Sequence, residues 1–395
     1  MLRRRIHRNE APANDAPARW QEPGGTVHNK ELVNKLVLEN LKHRPVRTAL
    51  SIAAIGLEVT MILTLVGLSR GMLEDVARRA RGVGADIVVR PPGTSLIGLS
   101  SAPMMEKMVD FLHRQPHVTH AVGSMTYPLT GVTTITGVRL EEFDRISGGF
   151  KYLEGGPIGG PGEIIVDNFY ARQNNLRAGS TVRLLNRDWR VAGVVEEGKL
   201  ARLVLPLDVL QDLTANTGKI SQVWVKVDNP ANVPAVIASL KAQLKDYPIY
   251  SMEELTSLIS VNNVPGLRAF IAVIITLAII VGFLVVFLSM YTAVLERTRE
   301  IGILKALGAS PAYVLTILFR ETALLALGGT VLGILFSYGT RWAVRSWAPA
   351  TLTQVIVPDW WGIAGAIAMG GALLGATYPG WRAARQDPIE ALAYE

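Results

Sequence analysis

The chain contains no cysteine. Disulfides, thiolate metal sites and cysteine nucleophiles are therefore excluded, and cysteine usage gives no reading of the redox compartment. Charge is scarce as well, at 18% of residues against about 25% in a typical soluble domain. Catalytic signatures are missing too. No G-x-S-x-G, H-E-x-x-H or G-x-x-x-x-G-K-[ST] occurs anywhere. Nucleophile-elbow hydrolysis, zinc peptidase chemistry and ATP hydrolysis by this chain therefore have no motif behind them, and a membrane-anchored enzyme has no support. His113, His117 and His120 lie close in sequence but have no acidic ligand at metal spacing, so they read as surface histidines.

What is present is apolar. Hydrophobic residues make up 49% of the chain, gathered in long stretches, which excludes a wholly soluble, disordered or fibrous protein. Crossing a bilayer takes about 20 apolar residues, and four segments qualify: 48–69, 269–295, 310–345 and 360–381. The first carries Glu58 near its centre, and the last is bounded by Trp360 and Trp381 at interfacial positions. Residues 1–29 read as a disordered cytoplasmic terminus. Arg3, Arg4, Arg5 and Arg8 are followed by a polar Ala/Pro/Gly-rich segment, not by the apolar core of a signal peptide. Over 30–47, Leu32, Val33, Leu36, Val37 and Leu41 share one helical face, which suits a helix in the membrane interface.

Basic residues set the orientation. Residues 1–47 hold ten Lys and Arg against five Asp and Glu, and Arg297, Arg299, Lys305, Arg382 and Arg385 cluster at the same side of the bilayer. The positive-inside rule puts both termini and 296–309 in the cytoplasm, and 70–268 outside. Arg341 and Arg345 oppose this mildly. The net charge of +7 is largely juxtamembrane, where it can engage anionic lipid, and gives no nucleic-acid signal.

Residues 70–268 have soluble patterning. Strands are expected at 86–90, 118–126, 130–138, 163–167, 180–186, 188–195 and 220–227, and helices at 103–115, 168–176, 206–215 and 232–246. The segment therefore reads as an α+β domain, divided into two lobes near the Gly-rich 148–162. Ser147-Gly148-Gly149 is similar to an ABC ATPase signature, but without a P-loop it reads as a loop. Gly-x-x-x-Gly spacings at Gly67/Gly71, Gly329/Gly333 and Gly371/Gly375 allow close approach of helices.

The most informative segment follows the second span. Ile301, Leu304 and Leu307 can share a face of a short helix. Gly308 is placed to end it, and Ser310 with Pro311 to start the next. An amphipathic helix at the inner face, joined by a tight turn to the third span, is expected. This segment, ERTREIGILKALGAS (296–310), resembles the coupling helix of FtsX/MacB/LolC-type permeases, the type VII ABC transporters. So do, in order, NLKHRPVRTALS (40–51), GADIVVRPP (84–92), EIIVDNFYA with LRAGSTVRL and WRVAGVV (163–195), and YPGWRAARQDPIEALAYE (378–395).

The resemblance covers almost the whole chain. It implies a four-helix membrane protein with a large α+β extracytoplasmic, MacB-like domain between the first and second spans. It also implies a permease dimer, a homodimer in the simplest case, with an ABC ATPase subunit as partner. A periplasmic adaptor is a further partner it allows. No cofactor is expected on this chain, since ATP belongs to the ATPase. Arg297, Arg299, Glu300, Ile301, Gly302, Leu304, Lys305 and Gly308 then form the coupling segment, with Glu300, Ile301, Leu304 and Lys305 facing the ATPase and Arg297 and Arg299 nearer the lipid headgroups. Glu58 departs from the small or apolar residue common there. A mid-bilayer acid costs about 2.5–3.5 kcal/mol on insertion scales, so it is expected to face a partner, foremost at a dimer interface; a proton or substrate role and a protonated bystander are the other readings. The expected function is ATP-driven mechanotransmission that exports or extracts a lipid, lipoprotein, peptide or drug. The alternative is a signalling device that activates an extracytoplasmic partner such as a cell-wall hydrolase.

The orientation is testable on the cysteine-free background. Single cysteines at Asn174 and Ala309 should be labelled by an impermeant reagent from outside at Asn174 alone; the reverse pattern inverts the topology.

Overall fold

The computed structural model describes residues 37, 39, 41–94, 102–129, 133–261, 263, 266–348 and 352–386. The expected disordered terminus 1–29, Leu32, Val33 and Leu36 of the interfacial helix, and the last nine residues of the C-terminal motif lie outside them. Residues 41–43 are helical, and Val37 is buried against Ile317, Leu41 and Tyr313.

Among the described residues, four helices are long and apolar enough to cross a membrane: Pro45–Arg81, Leu267–Glu296, Pro311–Trp347 and Pro358–Arg385. They are called here the first to fourth spans. Close approach between them depends on residues without side chains. A Cβ at Gly329 or Gly333 would fall 2.6 Å from Ile55 or Val59 Cβ of the first span, and one at Gly375 would fall 2.8 Å from the Phe283 carbonyl of the second. Gly67 and Gly71 serve a different neighbour from the expected helix. The extended stretch 353–355 lies against them, and Val355 N donates to Gly67 O at 3.1 Å.

Between the first and second spans sits a mixed sheet. Its strands are β1 (Ile87–Val89), β2 (Met104–Met105), β3 (Val118–Pro128), β4 (Thr134–Val138), β5 (Tyr152–Gly155), β6 (Glu163–Asp167), β7 (Thr181–Leu184), β8 (Arg187–Val195), β9 (Leu203–Pro206), β10 (Lys219–Ile220), β11 (Gln222–Val227) and β12 (Ile249–Ser251). The order is β12-β1-β11-β3-β4-β9-β6-β8-β5, with β7 also on β8 and β2 pairing β10 separately. Pairs β4/β9 and β6/β8 are parallel.

Side chains alternate across this sheet. Ile87, Val89, Ile164, Val166, Leu203, Leu205, Val223 and Val225 join one core, whereas Val88, Ile165, Val204 and Trp224 join the other. Both faces are buried, which is why these strands read as unbroken apolar runs. Helices Lys107–His113, Leu207–Leu213 and Val233–Gln243 cover the first face. Helices Leu140–Ser147 and Met252–Leu258 cover the second, together with Leu73, Ala77 and Ala80 from the end of the first span.

Two expectations change. Residues 148–162 do not divide two lobes, because β5 forms within them and extends the sheet through β8. Gly155 at φ 72° pairs with Gly193, where a Cβ on either would overlap the opposite strand. Residues 103–115 begin as the short strand β2, and the helix starts only at Lys107.

The first span therefore continues into the domain, and an ion network fixes it there. Arg202, 3% exposed, donates to Asp75 Oδ2 at 2.7 Å and to Asp167 Oδ2 at 3.1 Å, and its guanidinium lies 4.6 Å from the Phe169 ring centroid. Burial pushes the Asp167 carboxyl above the ordinary range, while Arg202 and the Tyr170 N–H pull it back. Arg202→Met should strand the buried Asp167 carboxylate, Asp75 keeping Arg78 and Arg79, and cost about 3–5 kcal/mol. Amide hydrogen exchange should then accelerate in 73–81 and β9; unchanged protection in both would refute this role.

Candidate functional site: the elbow and its ion-pair knot

The second span ends at Glu296, and a new helix, Thr298–Ala306, starts after Arg297, whose backbone (φ −110°, ψ 14°) breaks the first helix from the second. Gly308 at φ 94° closes this elbow helix, with Ala309 N donating to Leu304 O at 3.0 Å. A side chain rarely adopts that φ, which explains the glycine. Ser310 Oγ then accepts from Tyr313 N at 3.2 Å, with Pro311 in the first turn of the third span.

The helix presents a different face from the one expected. Ile301 and Gly302 are buried, Ile301 within the membrane-helix core beside Val314 and Leu318. Leu304 and Lys305 are half-buried. Lys305 Nζ donates to the Ala384 carbonyl at 2.9 Å and to that of Gln386, capping the C-terminal end of the fourth span. The exposed ridge consists of Arg299, Glu300, Ile303 (46%) and Leu307 (81%), with Gly308 at its end. These positions recur at three- and four-residue spacing, one helical face. The apolar count pointed to Ile301 and Leu304. The third span, packed over that side, takes Ile301 inward.

Arg297 is likewise turned inward. It is 7% exposed and donates to Glu321 Oε2 at 3.2 Å. Glu321, on the third span and fully buried, also accepts from Arg47 of the first span at 3.1 Å on Oε1. Arg44 and Arg47 further pair with Glu296. This knot ties the starts of the first and third spans to the elbow. Sequence reasoning missed Glu321, because the third span was read through the apolar runs on either side of it. The charge itself was the signal, since an ionisable residue inside a span marks an obligatory partner.

Glu58 is buried within one chain, 7% exposed, against Gly282 of the second span. The burial expected from a second copy is supplied by the missing side chain at Gly282, where a Cβ would overlap the carboxylate. Its Oε1 has no hydrogen-bond partner among the described residues. Elsewhere, His117 Nδ1 pairs with Asp228 at 2.9 Å, and the His113 and His120 rings stack at 6.5 Å. Ser147 and Gly149 give their carbonyls to Lys199 Nζ, with Gly148 left-handed at the helix end.

A membrane bundle of four helices, a mixed-sheet domain after the first and an elbow after the second define a permease architecture. Comparison agrees. The family model described as MacB-like periplasmic core domain matches residues 48–243, and that described as FtsX-like permease C-terminal matches 272–388. The chain belongs to the FtsX/MacB-type family of ABC transporter permeases.

Among relatives, it is 23% identical to the macrolide export ATP-binding/permease protein MacB of Escherichia coli, over 91% of this chain and 60% of that protein. It is 25% identical to an uncharacterized ABC transporter permease of Methanocaldococcus jannaschii, over 58% of this chain and 60% of that one. The chain thus spans about three fifths of the length of these relatives. The solved periplasmic region of MacB from Actinobacillus actinomycetemcomitans aligns with a TM-score of 0.35 and 16% identity, covering 45% of this chain and 94% of that one.

The contact between Glu58 and Gly282 should show coupling. Gly282→Ala should destabilise the protein, and Glu58→Ala should relieve that effect in the double variant, with an interaction term of about 0.5–3 kcal/mol. Strict additivity of the two thermal-stability losses would mean the pair does not touch.

Proposed function

We propose that this chain is the permease subunit of an ABC transporter that exports or extracts an amphipathic substrate (a lipid, lipoprotein, peptide or drug) by mechanotransmission. ATP is hydrolysed on a separate ATPase subunit, for which the elbow is the docking site. The observation that carries this reading is the unbroken helix Pro45–Arg81, joined at one end to the elbow through Arg47, Glu321 and Arg297 and buried at the other in the sheet domain. A displacement of the elbow would reach the domain through a rod, with no loop between.

The termini and elbow face the cytoplasm of a bacterial inner membrane in this reading, and the sheet domain faces outward. Two copies act together, presenting one elbow to each ATPase. The second span leaves Phe270, Val273, Leu277 and Leu284 exposed along its length for lipid or for the other copy. A periplasmic adaptor would dock on the sheet domain.

Ile303, Leu307, Glu300 and Arg299 make up the ATPase-facing ridge, and Ile301, Arg297 and Lys305 hold the helix in place. Ile303→Asp with Leu307→Asp should preserve membrane insertion and domain folding while weakening copurification of the ATPase about tenfold or more. Ile301→Ala should instead lower thermal stability, with docking retained at low temperature. If the double aspartate variant still supports full coupled ATPase activity, the elbow is not the docking site. Substrate-stimulated ATPase activity distinguishes transport from the activation of a cell-wall enzyme.

A further inference from the structure

Of the three arginines buried among the described residues, Arg202 and Arg297 have carboxylates and Arg90 has none, and the half-buried Arg47 and Arg79 have carboxylates too. Arg202 is held by Asp75 and Asp167, Arg79 by Asp75, and Arg47 and Arg297 by Glu321. Arg90, at the end of β1 and only 7% exposed, forms no salt bridge, and its Nε has no hydrogen-bond partner. Burial pushes its guanidinium down to about 10, with Tyr250 acting weakly the other way. It is therefore still a cation at neutral pH. An unpaired buried charge costs several kcal/mol unless something compensates it.

Arg90 lines a cavity of about 100 Å³ between the sheet and the end of the first span. Arg79, whose Nε is also without a partner, lines it too, with Thr126, Thr136 and Ser221 on the sheet side. Among the described residues, no Asp or Glu contributes to the wall. The hydroxyls of Thr126 and Thr136 bond each other and Ser221 Oγ bonds the Thr126 backbone, so the two guanidiniums supply the donors, and Arg recognises an oxyanion through paired N–H groups.

We propose that this cavity is an anion site, which takes a small oxyanion: free phosphate or the carboxylate end of a larger amphipathic molecule. Its position gives the anion a structural consequence. Arg79 belongs to the first-span helix and Arg90 to the sheet, so one bound anion bridges the rod to the domain that it carries. The proposal does not rest on the transport reading, because binding can be measured with no ATPase present.

The test uses the full chain in nanodiscs and isothermal titration at fixed ionic strength, with chloride as the reference salt. Inorganic phosphate is the first probe; acetate and hexanoate are the second. Saturable binding of phosphate, or of the carboxylates alone, is expected and identifies which source the site accepts. Arg90→Gln should weaken that binding about tenfold or more, as loss of a charge-assisted hydrogen bond does. Arg90→Lys should recover part of it, while Arg341→Gln, outside the cavity, should leave it unchanged. Absence of saturable binding by all three probes, or binding that survives Arg90→Gln, overturns the proposal. In the first case, higher thermal stability of Arg90→Gln in anion-free buffer would show that the cavity holds only water around a costly charge.

Discussion

A helix rises about 1.5 Å per residue, so the hydrocarbon core of a bilayer, about 30 Å thick, takes up some 20 residues. Pro45–Arg81 has 37. The remainder must be satisfied outside the membrane, and the chain does this by making it part of another hydrophobic core. Ile55, Val59, Ile62 and Leu63 pack among the other spans, while Leu73, Ala77 and Ala80 pack on the sheet. The same helix is therefore a membrane span at one end and a layer of an α+β domain at the other. The domain cannot rotate or tilt freely without unpacking one of the two.

The charges at each end set the register of this rod more than its stability. Replacing a buried ion pair with apolar residues is often neutral or stabilising, whereas removing one partner is costly. Glu321 satisfies Arg47 and Arg297 at once, and Arg202 satisfies Asp75 and Asp167 at once. Each shared residue penalises any sliding of the first span relative to its neighbours, since a slip would leave a charge alone in an apolar interior. The glycines at 329 and 333 impose the same restriction sterically, because Ile55 and Val59 fit only opposite those two positions.

Much of this was legible in the sequence, for reasons that differ by element. The spans were visible because length and hydropathy are local properties, β1 and β6 because both of their faces are buried, and β8 because buried Trp189 and Val191 alternate with exposed Asp188 and Arg190. The continuation of the first span past Ser69 was not visible. Its charges, Arg70, Glu74, Asp75, Arg78 and Arg79, look like solvent-exposed residues until Arg202, far along the chain, is seen to receive Asp75. Helix Leu140–Ser147 and strands β5, β9 and β12 escaped as well; the strands are short, and only their partners identify them. At the elbow, the caps Gly308 and Ser310 could be read because they act on their own backbone. Which side of the helix faces inward could not be read, because apolar Ile301 and apolar Ile303 differ only in what the third span covers. Glu58 shows the same limit: its neighbour is defined by the absence of a side chain at Gly282.

The mechanics follow from which contacts are soft. The elbow helix is held inward by one apolar residue, Ile301, and by Lys305 capping the fourth span, but its break from the second span at Arg297 is a single residue. In the proposed reading, a push on Ile303 and Leu307 would bend the chain most easily at Arg297, whose guanidinium is anchored on Glu321. Moving Arg297 without Glu321 would strand a buried carboxylate, while moving them together displaces the third span. That span is locked to the first by close packing, so the first moves too. Its far end has no hinge before the sheet: the helix runs unbroken to Arg81, and the turn after it leads within a few residues into β1. In the proposed reading, a force applied at the elbow and passed through Glu321 to Arg47 would meet no break in the first-span helix before Arg81, where that helix already packs on the sheet domain.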